Sequence, residues 1–370
     1  MQLDELREGI NDIDKQLQEL FTKRMQLCYQ VAQVKIENHM PVFQKDREKQ
    51  ILERVANNAP DDLKEATKVF FRNTMDISKC MQYQRFFADQ NSIEYKKLDL
   101  SGKHTVAVPG TNGSYNHIAC SNLFDDFEPV FFENFEEVFA CVQSGQAEFG
   151  ILPIVNSTAG SVAQTYELMR NYDFKICAAT KLRISHCLAV KHGVDLGDIK
   201  AVYSHEQGLQ QCSEFIKKHG FKTHRYSNTS LAACYIKQSD EPLGAICSTD
   251  CAEGLGLDII MRDIQNATDN YTKFILISRN TLKSENANTI SVCLALPHQS
   301  SSLYRLLTKF SVAGLNLSMI ESMPIANTDF DVVFYLDFQG AIDTPEVAKL
   351  MSELEQELSY FKFLGNYEEI

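Results

Sequence analysis

Residues 3–39 carry one unbroken helical period, and no other feature limits the fold as strongly. Leu3, Leu6, Ile10, Ile13, Leu17, Leu20, Leu27, Val31 and Val34 recur at spacings of three and four, with one slot missing. No proline interrupts the run before Pro41. At about 1.5 Å per residue such a helix extends roughly 55 Å. A small monomeric bundle cannot cover that length, so the stripe predicts an extended partner surface. A second helix is expected from near Phe43, carrying Ile51, Leu52 and Val55 and broken by Asn57-Asn58-Ala59-Pro60. A third is expected over residues 61–88, with Leu63, Val69, Phe70 and Ile77 among its apolar residues. Three helices make an all-α domain.

The pattern changes after a polar stretch ending in Ser101-Gly102-Lys103. Short apolar runs at 104–108, 129–132, 148–155, 175–179, 201–204 and 273–277 read as strands. Helical stretches at 135–144 and 161–171, one after Gln207, and one opening at Ser114 behind the turn Pro109-Gly110-Thr111-Asn112-Gly113 lie between them. Such alternation predicts an α/β domain with a largely parallel sheet. Residues 289–367 then read β-α-β-β-α-β, the ferredoxin-like plan.

Composition narrows the class. The 370 residues hold 36 Lys plus Arg against 49 Asp plus Glu, a formal net charge of -13. Nucleic acid and anionic membranes need a basic face, so neither is an expected partner. The opening MQLDELREGI is charged from residue 4, and no apolar run has membrane-spanning length, so a cytoplasmic protein is expected. The 11 cysteines are scattered without a Cys-x-x-Cys, which predicts reduced thiols and no metal site.

Arg24 occupies the missing slot of the first stripe, and Cys28, Val31 and Lys35 follow on the same face. A cation on a core-facing stripe is costly unless an anion meets it. Taken alone, such a residue snorkels or pairs with a Glu. Arg47 and Glu48 on the second helix, with Ser78 and Gln82 one turn apart on the third, would add a donor-rich pocket. Arg7 precedes Arg24 by 17 residues, about 25 Å of straight helix, so either Arg7 is structural or it reaches the same small ligand from a partner chain.

Leu6-Arg7-Glu8, Lys23-Arg24, Val34-Lys35, Pro41-Val42-Phe43, Asp46-Arg47-Glu48 and Ser78-x-x-x-Gln82 resemble the all-helical chorismate mutases over residues 1–88. That family is an intertwined helical dimer. The resemblance implies that Arg24, with Arg7 of the partner, binds the two carboxylates of chorismate. It assigns Lys35 and Gln82 to the ether oxygen of the breaking bond. Glu48 and Arg47 would address the ring hydroxyl, and Ser78 a carboxylate. The chemistry suits these residue types. Chorismate to prephenate is pericyclic, so holding the compact conformer and meeting charge on the ether oxygen are what an enzyme can supply. Gln44 stands where many relatives have Asp, which predicts altered affinity.

Residues 104–280 resemble the prephenate dehydratases through Gly110-x-x-Gly113-Ser114-Tyr115, Pro153-Ile154-Val155-Asn156-Ser157, Tyr203-Ser204-His205-Glu206-Gln207, Thr229-Ser230 and Asn270-Tyr271-Thr272-Lys273-Phe274. Singly, these clusters read as helix caps and turns. The resemblance implies a two-lobed α/β domain that decarboxylates and dehydrates prephenate to phenylpyruvate. It places Thr272 beside the departing hydroxyl and Asn156, Ser204 and Gln211 along the pocket. Val155 replaces the family Glu, Lys273 an Arg and Glu206 a Pro. Two readings stay open there: a weakened dehydratase, or a silent domain that senses a ligand or aids dimerisation.

Residues 288–367 resemble an ACT domain, a ferredoxin-like module that binds amino acids at dimer interfaces. Gly314-Leu315-Asn316-Leu317-Ser318 and Ile320-Glu321-Ser322 carry the match. The resemblance implies phenylalanine as effector, held by Asn316, Glu321 and Ser322. Met323 departs from the family Arg, so a purely dimerising module is the other reading. The expected whole is a homodimer or higher homo-oligomer of phenylalanine biosynthesis, acting on chorismate and prephenate with no cofactor. A dehydrogenase fusion would need a dinucleotide loop, and Gly254-x-Gly256 is followed by Ile259 in place of the third Gly.

Overall fold

The computed structural model describes residues 3–86, 93–325 and 332–370. The chain divides into two compact units, residues 1–94 with 292–362 and residues 95–291 with 363–370.

The first unit opens on three helices: α1 (Leu3–Glu37), α2 (Lys45–Asn57) and α3 (Lys64–Phe86), the last preceded by a short 3-10 turn at Asp61–Leu63. The predicted run of 3–39 thus forms as one helix of 35 residues. The third helix was expected to reach residue 88; 87 and 88 lie outside the described residues. Only the C-terminal half of α1 buries side chains, namely Met25, Ala32 and Lys35, while its apolar residues from Leu3 to Leu20 are exposed.

The second unit begins with β1 (Lys96–Lys97), β2 (Lys103–Pro109), α4 (Tyr115–Leu123), β3 (Asp126–Phe132), α5 (Phe135–Ser144) and β4 (Phe149–Asn156). It continues with β5 (Gly160–Ser161), α6 (Ala163–Asn171), β6 (Lys175–Arg183), β7 (Cys187–Val190) and β8 (Ala201–His205). Helices α7 (Glu206–Gln211) and α8 (Ser213–His219), β9 (Lys222–Tyr226), α9 (Thr229–Gln238), β10 (Leu243–Cys247), α10 (Thr249–Gly254) and β11 (Asp258–Met261) follow. The unit closes with β12 (Tyr271–Ser278) and β13 (Leu282–Lys283). Two lobes result. One holds strands in the order β6-β12-β4-β2-β3, the other β11-β7-β10-β8-β9.

Neither sheet is largely parallel, which corrects the expectation from alternation. β2 pairs in parallel with β3 and β4, but β12 runs antiparallel to both β4 and β6. In the other lobe β8 pairs in parallel with β9 and β10, while β7 is antiparallel to β10 and β11. The cause is β12, which returns from the second lobe and inserts between two strands of the first. Alternation reports strand and helix order, not the direction of a strand arriving from elsewhere.

The chain ends in β14 (Thr289–Ala295), α11 (Ser302–Ala313), β15 (Leu317–Pro324), β16 (Val332–Gln339), α12 (Pro345–Glu357) and β17 (Tyr360–Tyr367), the predicted β-α-β-β-α-β order. No helix among the described residues is long and apolar enough to cross a membrane.

Polar residues of the middle segment do much capping. Ser114 accepts from the His117 amide and starts α4; Asn228 accepts from the Leu231 amide at 2.7 Å and starts α9. The loop between β2 and α4 runs close to α10, where Ser248 donates to the Gly113 carbonyl at 2.6 Å. A Cβ on Gly113 would sit 2.5 Å from the Cys251 Cα, and its φ is +76°. Gly113→Ala is therefore expected to destabilise the second unit by about 2 kcal/mol or more, read as a lower midpoint in thermal unfolding. An unchanged midpoint would show that the loop is not held there.

Candidate active sites

The helical site is built where α1 meets α3. Arg24 Nη1 donates to the Ser78 hydroxyl and to the Thr74 carbonyl, the latter at 3.3 Å. Eleven residues further along α1, Lys35 Nζ donates to Gln82 Oε1 at 3.2 Å and to the Val42 carbonyl at 2.7 Å. Lys35, Ser78 and Gln82 are buried. The structure thus gathers four of the predicted residues, and Lys35 using Gln82 Oε1 leaves the Gln82 amide nitrogen as a donor. Burial pushes the Lys35 pKa below its usual value, against the opposing charges of Cys28 and Glu48.

Glu48 joins this group from α2, and Lys79 Nζ lies 2.9 Å from its carboxylate. Lys79 also lies 2.9 Å from Asp76 and stands over the Phe43 ring. Arg47 is exposed. Arg7 is exposed as well and meets only the nearby Asp4, at 3.4 Å. Asp76 and Lys79 were not foreseen. Their signal was there, since both flank Ser78 on one helix as charges among core positions.

In the second unit the Asn156 side chain ties three strands' ends together. Its Nδ2 donates to Asn270 Oδ1 at 2.7 Å, to Thr272 Oγ1 at 2.8 Å and to the Tyr271 carbonyl at 3.1 Å. Its Oδ1 accepts from the Thr158 and Ala159 amides, at 3.0 and 2.8 Å. Thr272, opposite Asn156 across the β4–β12 ladder, accepts that bond and keeps its own proton to donate elsewhere. Beside this knot a cavity of about 190 Å³ is lined by Thr158, Ala159, Gln207, Gln211, Asn266 and Asn270 among others.

Gln211 is held by a residue the sequence did not flag. His186 Nε2 lies 2.8 Å from Gln211 Oε1, which can only accept, so Nε2 carries the proton. Nδ1 then faces the Tyr115 hydroxyl at 3.2 Å, and that hydroxyl donates to the Ser185 carbonyl at 2.5 Å. Burial lowers the His186 pKa and raises that of Tyr115, so both stay neutral. The Gln211 amide nitrogen is left as a donor for the cavity. Ser204 stands elsewhere: fully buried, it donates to the Ile246 carbonyl at 2.7 Å and packs under Gly208. Of the predicted residues Gln211 lines the cavity, whereas Ser204, Asn156 and Thr272 are not among its lining residues.

Two sequence departures face each other. Lys273 is the cross-strand partner of Val155, and its ammonium lies 3.2 Å from Glu369 and 3.5 Å from the Tyr367 hydroxyl. A carboxylate missing on one neighbour is thus matched by another from the residues that follow β17. Glu206 is the half-buried first residue of α7 and pairs with Arg225 at 2.9 Å. In the C-terminal module, Glu321 and Ser322 lie on β15, the edge strand, and Asn316 immediately precedes it, with Asn316 and Ser322 exposed and Glu321 half-buried.

Fold and sites together define a chain of two enzyme-like domains, a helical cation pocket and a two-lobed α/β cleft. Family comparison names both. Residues 6–83 match chorismate mutase type II, and residues 106–282 match prephenate dehydratase. The chain belongs to the bifunctional chorismate mutase/prephenate dehydratase family, isomerase first and lyase second. It is 29% identical to the bifunctional chorismate mutase/prephenate dehydratase of Escherichia coli (strain K12), with 98% of this chain and 95% of that one covered. Among solved structures it resembles the prephenate dehydratase of Arthrobacter aurescens in complex with L-Phe, at TM-score 0.65 and 27% identity, over 71% of this chain and 89% of that one. It resembles equally, at TM-score 0.65 and 25% identity, a structure described as a novel type of quorum quenching acylase, over 72% of this chain and 98% of that one. One fold therefore hosts more than one chemistry, and the residues of the cleft must decide.

Protonated, Lys35 is the cation beside Gln82 in this pocket. Its pKa lies below the ordinary 10.5, and loss of its proton removes the charge. Mutase kcat/KM is therefore expected to fall as pH rises through that lowered value, measured as chorismate loss against pH. Lys35→Arg should move the fall to higher pH; an unmoved alkaline limb would mean that another group causes it.

Proposed function

We propose that the two domains run consecutive steps: the helical site rearranges chorismate to prephenate, and the cleft decarboxylates and dehydrates prephenate to phenylpyruvate. The observation that carries the first step is the pair of contacts across α1 and α3, Arg24 with Ser78 and Lys35 with Gln82. Arg24 and Ser78 bind a carboxylate of chorismate. Lys35 and the Gln82 amide meet the charge that grows on the ether oxygen, fixed in place before the bond breaks. Glu48 and Arg47 address the ring hydroxyl. Arg7 of a second copy binds the other carboxylate, and the exposed apolar face of α1 supports a homodimer through that helix.

In the cleft, Thr272 protonates the departing hydroxyl or holds its proton, since its own proton is uncommitted. Asn156 aims Thr272, and the Gln211 amide, oriented by His186, donates to a carboxylate. Ser204 acts through the backbone it fastens. Aromatisation of the ring supplies most of the driving force, so a few placed dipoles suffice. The pairing of Lys273 with Glu369 supports an active cleft despite Val155, because no unpaired cation is left in the strand. We read the C-terminal module as an ACT domain. Its effector is phenylalanine, held by Asn316, Glu321 and Ser322 at a dimer edge.

The test supplies each substrate separately. Wild-type protein given chorismate should release phenylpyruvate. Lys35→Ala should fail on chorismate yet process added prephenate. Thr272→Ala should consume chorismate and accumulate prephenate, with phenylpyruvate formation down at least 100-fold, a span typical of one general acid. Prephenate accumulating with the wild-type chain would instead mean a silent dehydratase.

A further inference from the structure

The helical site draws a side chain from the C-terminal module. In the first unit, α11 packs on α3 and presents Arg305 to Asp76. The contact is two-pronged: Arg305 Nε lies 3.1 Å from Asp76 Oδ2 and Nη2 lies 2.9 Å from Oδ1. Arg305 Nη2 also lies 3.9 Å from Glu48 Oε2. Lys79 spans the same two carboxylates at 2.9 Å each. Two cations and two anions therefore alternate, Arg305, Asp76, Lys79, Glu48, with the Asp76 and Lys79 side chains each only 5% exposed. Charge is balanced only with all four present.

We propose that Arg305 is a positioning residue for the mutase, fixing Glu48 toward substrate by sharing the charge of Asp76 with Lys79, so that Lys79 also holds Glu48. The inference rests on the mutase reading of Glu48 given above. Its physical basis is competition. Without Arg305, two carboxylates share one ammonium. Asp76 is one turn from Lys79 on the same helix and holds it more readily than Glu48, which arrives from α2. Glu48 then loses both its orientation and part of its counter-charge. The charged groups facing Glu48 from each neighbouring element are Lys35 of α1, Asp76 and Lys79 of α3, and Arg305 of α11; Glu357 of α12 bears on Arg305.

The test uses the full-length chain and chorismate. Arg305→Ala should lower mutase kcat/KM by about tenfold or more, as misplacement of a group at a reacting centre does. Arg305→Lys, which keeps the positive charge beside Asp76, should recover most of that loss. Phenylpyruvate formation from added prephenate should stay at the wild-type rate, which reports an intact second unit. In a Glu48→Gln background the same substitution should have little further effect, since the two act through one group. If the Ala variant does not fold, Arg305→Gln is expected to behave the same way. A mutase kcat/KM within twofold of wild type in a folded Ala variant overturns the proposal. So does a full loss on top of Glu48→Gln. A wild-type chain that does not consume chorismate would overturn the mutase reading itself, a different outcome.

Discussion

A 35-residue amphipathic helix cannot bury its apolar face within its own chain, and most of this molecule's functional arrangement follows from that. The N-terminal half of α1 leaves Leu3 61% and Leu20 62% exposed, with Leu6, Ile10, Ile13 and Leu17 between them. Covering one such side chain is worth roughly 1.5–3 kcal/mol, so a stripe this long is a strong drive to association. A matching stripe on a second copy is the cover with the right length and chemistry. The same geometry separates Arg7 from Arg24 by about 25 Å on one helix. On the proposed reading, burial of the stripe and completion of a two-carboxylate site would be one event.

The second constraint is α3, which serves four neighbours, α1, α2, α11 and α12. Ser78 and Gln82 turn to α1, and Asp76 and Lys79 turn to α2 and α11. Cys80 lies 3.4 Å from Glu353 of α12. Lys309 of α11 sits between Glu353 and Glu357, 2.8 Å from the latter. Burial alone would lower the Lys309 pKa, but the two carboxylates outweigh it and push it up. Burying that many charges costs desolvation that only mutual pairing offsets. The result is a helix whose rotation or shift is felt at once by the mutase pocket and the C-terminal module.

How much could be read beforehand divides by the range of the interaction. The α1 run, the break at Asn57–Pro60 and the final β-α-β-β-α-β order are local patterns, and periodicity displays them directly. Arg24 was conspicuous because a cation interrupted an apolar stripe. Arg305 was not, because its meaning depends on Asp76, 229 positions away in sequence. His186 was hidden for the same reason, as a lone histidine whose two partners come from α4 and α7. The direction of β12 escaped because alternation carries no information on which lobe a strand returns from. Lys273 looked like a loss beside Val155 until Glu369 was found against it.

The central claim is that each mutase site is shared between two chains, and mixing two defective chains tests it most directly. Arg7→Ala and Lys35→Ala homodimers should each be inactive on chorismate. Coexpressed in equal amounts, half the dimers are mixed, and each mixed dimer holds one site with both Arg7 and Lys35 intact. The account predicts mutase activity restored to about one quarter of wild type, the value for random pairing in a twofold dimer. Activity that stays at the level of the separate variants would contradict it, and would mean that Arg7 takes no part in a site completed by a second copy.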